Sequence, residues 1–199
     1  MKMVNRLLLL ITALLAAWQV AIGINDADTL PMIAYTVGFG VLLIACLLLI
    51  ILGLDVLDSP IVVIVSTIIP LSLSLGLIWE HITSMRLVYL GFVLLGFLAI
   101  ILTRTLPVSK RVAVMVLALV HGIAGLTIFL LPIAFVLNHK SPLGFALVSV
   151  GGALIGLGGL LLSFLKVGKP ILSRQIILAL LPAILLLMTL AFVLGFGAV

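Results

Sequence analysis

The chain is written in long apolar runs separated by short charged breaks, and the length of those runs constrains its fold more than any motif does. A helix crossing a hydrocarbon layer about 30 Å thick needs roughly 17 to 25 mostly apolar residues. Runs of that kind are centred on Leu7–Gly23, Met32–Leu54, Pro60–Trp79, Leu87–Thr103, Val112–Phe135, Leu143–Leu165 and Ile176–Ala198. The period-2 alternation in segments of about 10 residues that marks a transmembrane barrel is absent. The expected fold is an all-α integral membrane protein, a seven-transmembrane-helix bundle, with residues 1–199 forming one polytopic domain.

Composition carries the same message: 66% of residues are hydrophobic and 8% charged, where soluble domains carry about 25% charge. No stretch is long and polar enough for a second, soluble domain. The net charge of +5 does not imply nucleic acid as a partner, because the Lys and Arg residues fall in the breaks and form no basic face. The single cysteine, Cys46, has no intrachain partner and reads as core.

The opening "MKMVNRLLLLITALLAAWQVAIG" has the basic start and apolar run of a signal peptide, with a small-x-small site at Ala21-Ile22-Gly23. It is read as an uncleaved first span. With the amino terminus in the cytoplasm, the inner segments carry Lys2, Arg6, Arg104, Lys110, Arg111, Lys166, Lys169 and Arg174, against Arg86 and Lys140 outside. That split places the amino terminus inside and the carboxyl terminus outside, in the plasma or an equivalent inner membrane. Trp18, Tyr35, Trp79 and Tyr89 all fall toward outer helix ends, as an aromatic belt would. Asp58-Ser59-Pro60 and Ser141-Pro142 are expected to start the third and sixth spans.

The third and seventh spans share "IIPLSLSL" and "LLPAILLL". They hint at a weak parallel repeat of spans 1–3 and 5–7 joined by span 4. In the sixth span Ser149, Gly152, Gly156, Gly159 and Ser163 recur at spacings of three and four residues and so share one helix face. Small residues there let a neighbouring helix approach closely, or leave a bare face bordering a cofactor or a substrate path. Pro70, Pro132 and Pro182 each leave a carbonyl four residues earlier without its helical donor, at Ser66, Ile128 and Leu178. In lipid such carbonyls need other partners.

His121 sits in "LALVHGIAGL", about ten residues from Arg111, hence about 15 Å deep at about 1.5 Å per residue. An ionisable side chain near mid-bilayer raises a functional expectation. Three readings stand: a neutral imidazole bonded across helices to a proline-freed carbonyl or a hydroxyl of the third span; a protonatable group in a transport path; or an axial ligand for a haem or chlorophyll-type ring. The candidate midplane polar site is His121 with Ser66, Thr67, Pro70 and Ser74.

Outer loops gather Asp26, Asp28, Glu80, His81, Arg86, His139 and Lys140, with Glu80, His81 and Arg86 as a candidate outer-face cluster. No metal-ligand spacing and no hydrolase motif occurs, so no metal site and no catalytic residue is assigned, and enzymatic chemistry is the weaker class. Two functions remain open. One is a small transporter or permeation unit working through the midplane histidine. The other is a non-catalytic scaffold subunit of a larger membrane complex, with membrane-protein partners or further copies of itself, holding a ring cofactor on His121.

Overall fold

The computed structural model describes residues 1–24, 28–166 and 171–198, apart from the side chains at positions 58, 163, 164 and 166. The expectations for Asp26 and Lys169, and for the side chains of Asp58, Ser163 and Lys166, lie outside the described residues. Seven helices follow one another: α1 (Met3–Ile22), α2 (Thr29–Leu52), α3 (Pro60–His81), α4 (Arg86–Thr105), α5 (Lys110–Leu137), α6 (Ala146–Lys166) and α7 (Arg174–Phe196). All seven are long and apolar enough to cross a membrane, and no strand occurs among the described residues.

The helices run past the apolar runs into Arg86, Lys110 and Arg174. Long basic side chains can stay helical there while their charged heads reach the polar layer. Two caps absent from the sequence reading stabilise these starts: the Ser109 and Ser173 hydroxyls accept from the Val112 and Ile176 N–H groups, each at 3.3 Å. Pro60 is the first residue of α3, as expected. Ser141-Pro142, however, leads into a 3-10 turn, Leu143–Phe145, and α6 begins only at Ala146.

Consecutive helices pack in two triplets, α1–α2–α3 and α5–α6–α7, which meet along α1/α7 and α3/α5 and so close a six-helix ring. Helix α4 lies outside that ring, against α3 and α5. Its buried residues are Tyr89, Gly96 and Ile100, and Gly96 is the point of close approach, where a Cβ would come 3.2 Å from the Val120 methyls. One face of the bundle carries the turn ending at Arg86, and the opposite face carries Lys110 and Arg174; these serve below as the Arg86 face and the Arg174 face.

The ring interior is mostly apolar, with Thr12, Gln19 and Thr189 among its buried polar residues. In its Arg86 half, Tyr35 and Phe39 of α2 meet Phe192 and Phe196 of α7, with Tyr35–Phe196 centroids 4.7 Å apart and Phe39 edge-on to Phe192 at 6.4 Å. In its other half Leu9, Leu42, Cys46 and Leu49 fill the space. Lipid supplies no hydrophobic drive between helices, so close backbone approach has to hold them together. Gly195 and Gly152 provide it: a Cβ on Gly195 would lie 2.7 Å from the Val148 nitrogen, and one on Gly152 3.0 Å from the Phe129 nitrogen.

Candidate functional site

The midplane residues are placed by α3 and α5. The cluster of Leu71, Ile100, Val120 and Ala124 puts the His121 turn level with Pro70 and Leu71, so the expected depth match holds. The hydroxyls of α3 do not reach His121. Ser66 and Thr67 both donate to the Val63 carbonyl, at 3.1 and 2.8 Å, and Ser74 donates to the Leu71 carbonyl at 3.1 Å. Each satisfies itself on its own helix, the common recourse of Ser and Thr in an apolar environment. No side chain among the described residues donates to the Ser66, Ile128 or Leu178 carbonyl.

His121 itself departs from the expected cross-helix bond. Its Nδ1 is fully buried and has no hydrogen-bond partner among the described residues. Register explains what it faces. Helices α5 and α6 are antiparallel and touch where Gly152 meets Ile128, so His121, two turns along α5, is level with Gly159 on α6. At Gly156 and Gly159, as at Gly122 and Gly125 on α5, an added Cβ would meet nothing within 4 Å. Gly122 and Gly156 are exposed at the bundle surface, and α6 also packs on α7, with Gly158 against Ile184.

The small-residue face of α6 thus has two parts. Gly152 is a packing contact, and Ser149, 2% exposed with its hydroxyl unpartnered, is buried close by. At Gly156 and Gly159 no neighbour lies within 4 Å of an added Cβ.

On the Arg86 face, Glu80, His81 and Arg86 do not converge on one point. Glu80 accepts from the Tyr35 hydroxyl of α2 at 3.0 Å. The His81 ring lies between Phe135 of α5 and Phe145, at centroid distances of 4.8 and 5.4 Å. Arg86 donates from Nε to the Trp79 carbonyl at 2.6 Å, stands over the Trp79 ring at 5.6 Å and pairs loosely with Asp28 at 3.7 Å. Each of the three ties α3 to a different neighbour, and no metal-binding group of His, Cys, Asp and Glu occurs among the described residues.

Two residues read as belt aromatics belong to this tie-down system. Tyr35 is 2% exposed and bonded to Glu80. Buried Tyr89 of α4 donates to the Thr127 hydroxyl of α5 at 3.1 Å and lies within reach of Ser74 on α3. Thr127 donates on to the Ile123 carbonyl. Trp18, in contrast, is 59% exposed. The chemistry of a tyrosine hides these partners in a sequence, because a belt position and an interhelical hydrogen bond use the same amphipathic side chain at the same helix end.

On the Arg174 face, an ion pair joins Arg174 to Asp55 at 3.0 Å, across the start of α7 and the 3-10 turn Leu54–Asp58 that follows α2. Beside it, an open groove between α1 and α7 is lined by Lys2, Asn5, Leu54 and Gln175. Neither a family model, nor a curated protein, nor a solved structure matches the chain.

Proposed function

We propose that this multi-pass membrane protein is a small carrier in which the triplets α1–α3 and α5–α7 move against each other. One observation carries the reading: the two triplets meet along two helix pairs on opposite sides of the ring, α1/α7 and α3/α5, and the last helix of each holds a buried proline, Pro70 or Pro182. A proline inside a helix removes one backbone bond and makes that helix the easiest place to bend. The Arg86 face, closed by the aromatic contacts between α2 and α7 and by the Glu80, His81 and Arg86 ties, is the shut side of the carrier. The Arg174 face, where an open groove runs between α1 and α7, is the side that opens. By the distribution of Lys and Arg, the shut side is external and the opening side cytoplasmic.

Two spin-label distances test this in the intact chain, one between Thr83 and Asn138 on the Arg86 face, the other between Leu54 and Leu172 on the Arg174 face. A carrier gives two populations at each end, with opposite changes at the two ends. One narrow distance at both ends under all conditions overturns the reading. Cross-linking cysteines at Leu71 and Ala124, with Cys46→Ser, locks α3 to α5 and is expected to abolish solute flux into liposomes until reductant is added.

A second reading is favoured by the His121 Nδ1, which has no hydrogen-bond partner among the described residues: a subunit of a larger assembly that holds a lipid-phase ring on this histidine. Here the expected outcome is a ligand that co-purifies with the native protein and is lost on His121→Ala. A colourless, ligand-free native preparation counts against it.

A further inference from the structure

We propose that the groove between α1 and α7 on the Arg174 face binds a phospholipid with an acidic head group, its phosphate held by Lys2, Asn5 and Gln175 and the upper part of an acyl chain resting on Leu178 and Ala179. The site does not depend on the carrier reading: a bundle that never opens would bind the same lipid.

The groove encloses about 500 Å³ and is lined from three elements, the start of α1, the start of α7 and Leu54 of the 3-10 turn after α2. That volume falls within the range of about 300–1,000 Å³ usual for small-ligand sites. Lys2, Val4, Gln175 and Ala179 are exposed. A ligand can therefore enter without unpacking the core.

Polar and apolar lining residues are sorted by depth. Helix α1 is 20 residues long, about 30 Å at about 1.5 Å per residue, and so just spans a hydrocarbon layer. Lys2 and Gln175, at the two helix starts, stand at the level of the lipid phosphates. Leu178 and Ala179 lie about one turn farther along α7 than Gln175, toward the hydrocarbon. A free anion would use only the rim, whereas an amphiphile covers both parts.

The rim offers donors and positive charge. Lys2 forms no ion pair among the described residues, and the side chains of Asn5 and Gln175 form no hydrogen bond among them. Helix α1 begins without a side-chain cap, which adds the N–H groups of its first turn to the donor set. Asp55, which follows Leu54, is held by Arg174 at 3.0 Å, while Arg6 places a second cation one turn from Lys2. An ammonium and two amides beside an uncapped helix start suit a phosphate. A zwitterionic head group brings a cation of its own, which Lys2 and Arg6 repel.

The test uses the full chain in phosphatidylcholine nanodiscs that contain phosphatidylglycerol with a diazirine near the top of one acyl chain. Illumination is expected to label peptides covering residues 1–8 or 174–181, saturably, and unmodified phosphatidylglycerol is expected to remove the label. Phosphatidylcholine carrying the same diazirine is expected to label these peptides no more than the rest of the chain. Ala179→Trp fills the groove from an exposed position, so it is expected to leave the thermal midpoint unchanged and to remove the saturable labelling. Lys2→Gln lies ahead of the first helical turn and is expected to weaken binding about threefold, as loss of one exposed charge contact allows; it decides the matter should Ala179→Trp misfold. Labelling that is unsaturable, lies elsewhere, is equal for the two lipids or is unchanged in the folded variants overturns the site. Displacement of the label by inorganic phosphate alone keeps an anion site but overturns the lipid assignment.

Discussion

The Tyr35 ring occupies the space that a Cβ on Gly76 would need, and from there its hydroxyl reaches Glu80 one turn farther along α3. Gly76→Ala is expected to push the ring away, breaking the bond to Glu80 and the ring contact with Phe196, at a cost of about 1–3 kcal/mol. Tyr35→Phe removes the bond alone and is expected to cost about 1 kcal/mol. Thermal unfolding in detergent distinguishes them, and equal losses would refute this account of Gly76.

Glycines of α6 and α7 should answer differently to the same substitution, according to what surrounds them. Gly195→Ala drives a methyl against the Val148 and Leu147 backbone, which has no rotamer with which to move aside. It is expected to lose about 2 kcal/mol or more. Gly156→Ala meets open space and is expected to be neutral or to gain up to about 1 kcal/mol from helix propensity. Comparable destabilisation by both would mean that Gly156 does not face open space.

Phe39→Ala removes one ring from the α2/α7 aromatic contact in the ring interior. Its cost is expected at about 3–5 kcal/mol. If these rings also close the external side, the same variant speeds labelling of cysteines placed near the Arg86 face, and leaves labelling at the other face as it was. Labelling rates in intact cells and in inverted vesicles decide this.

The two bundle faces should differ in their response to lost charges. Asp55→Asn breaks a solvated pair and is expected to cost no more than about 1 kcal/mol. Arg86→Ala removes the short bond to the Trp79 carbonyl along with the ring contact, and is expected to cost more than Asp28→Ala, which takes away only a 3.7 Å pairing. The reverse order in a chemical-denaturation series would show that Arg86 acts mainly through Asp28.

The bundle itself was legible because run length is a strong signal: seven apolar runs became seven helices, with ends displaced by a few residues where serine caps and basic side chains extended them. That the turn holding His121 packs beside Leu71, next to Pro70, also followed from counting. Which way each polar group would turn did not. Ser66, Thr67 and Ser74 were expected to serve His121, yet a hydroxyl can always return to a carbonyl of its own helix, and that nearby partner prevails. The α6 stripe was readable as packing or as a bare wall, and only the neighbours in space show that Gly152 meets α5 closely while Gly159 has nothing within 4 Å of an added Cβ. Tyr35 and Tyr89 lacked any sequence mark to separate a partnered tyrosine from an interfacial one.

Cys46 is the chain's only thiol and is 0% exposed in the middle of the core. A thiol reagent dissolved in the bilayer cannot reach it until α2 comes away from its neighbours. The rate at which Cys46 is modified under native conditions is therefore a clock for the rarest openings of the bundle, readable in lipid with no label engineered into the chain.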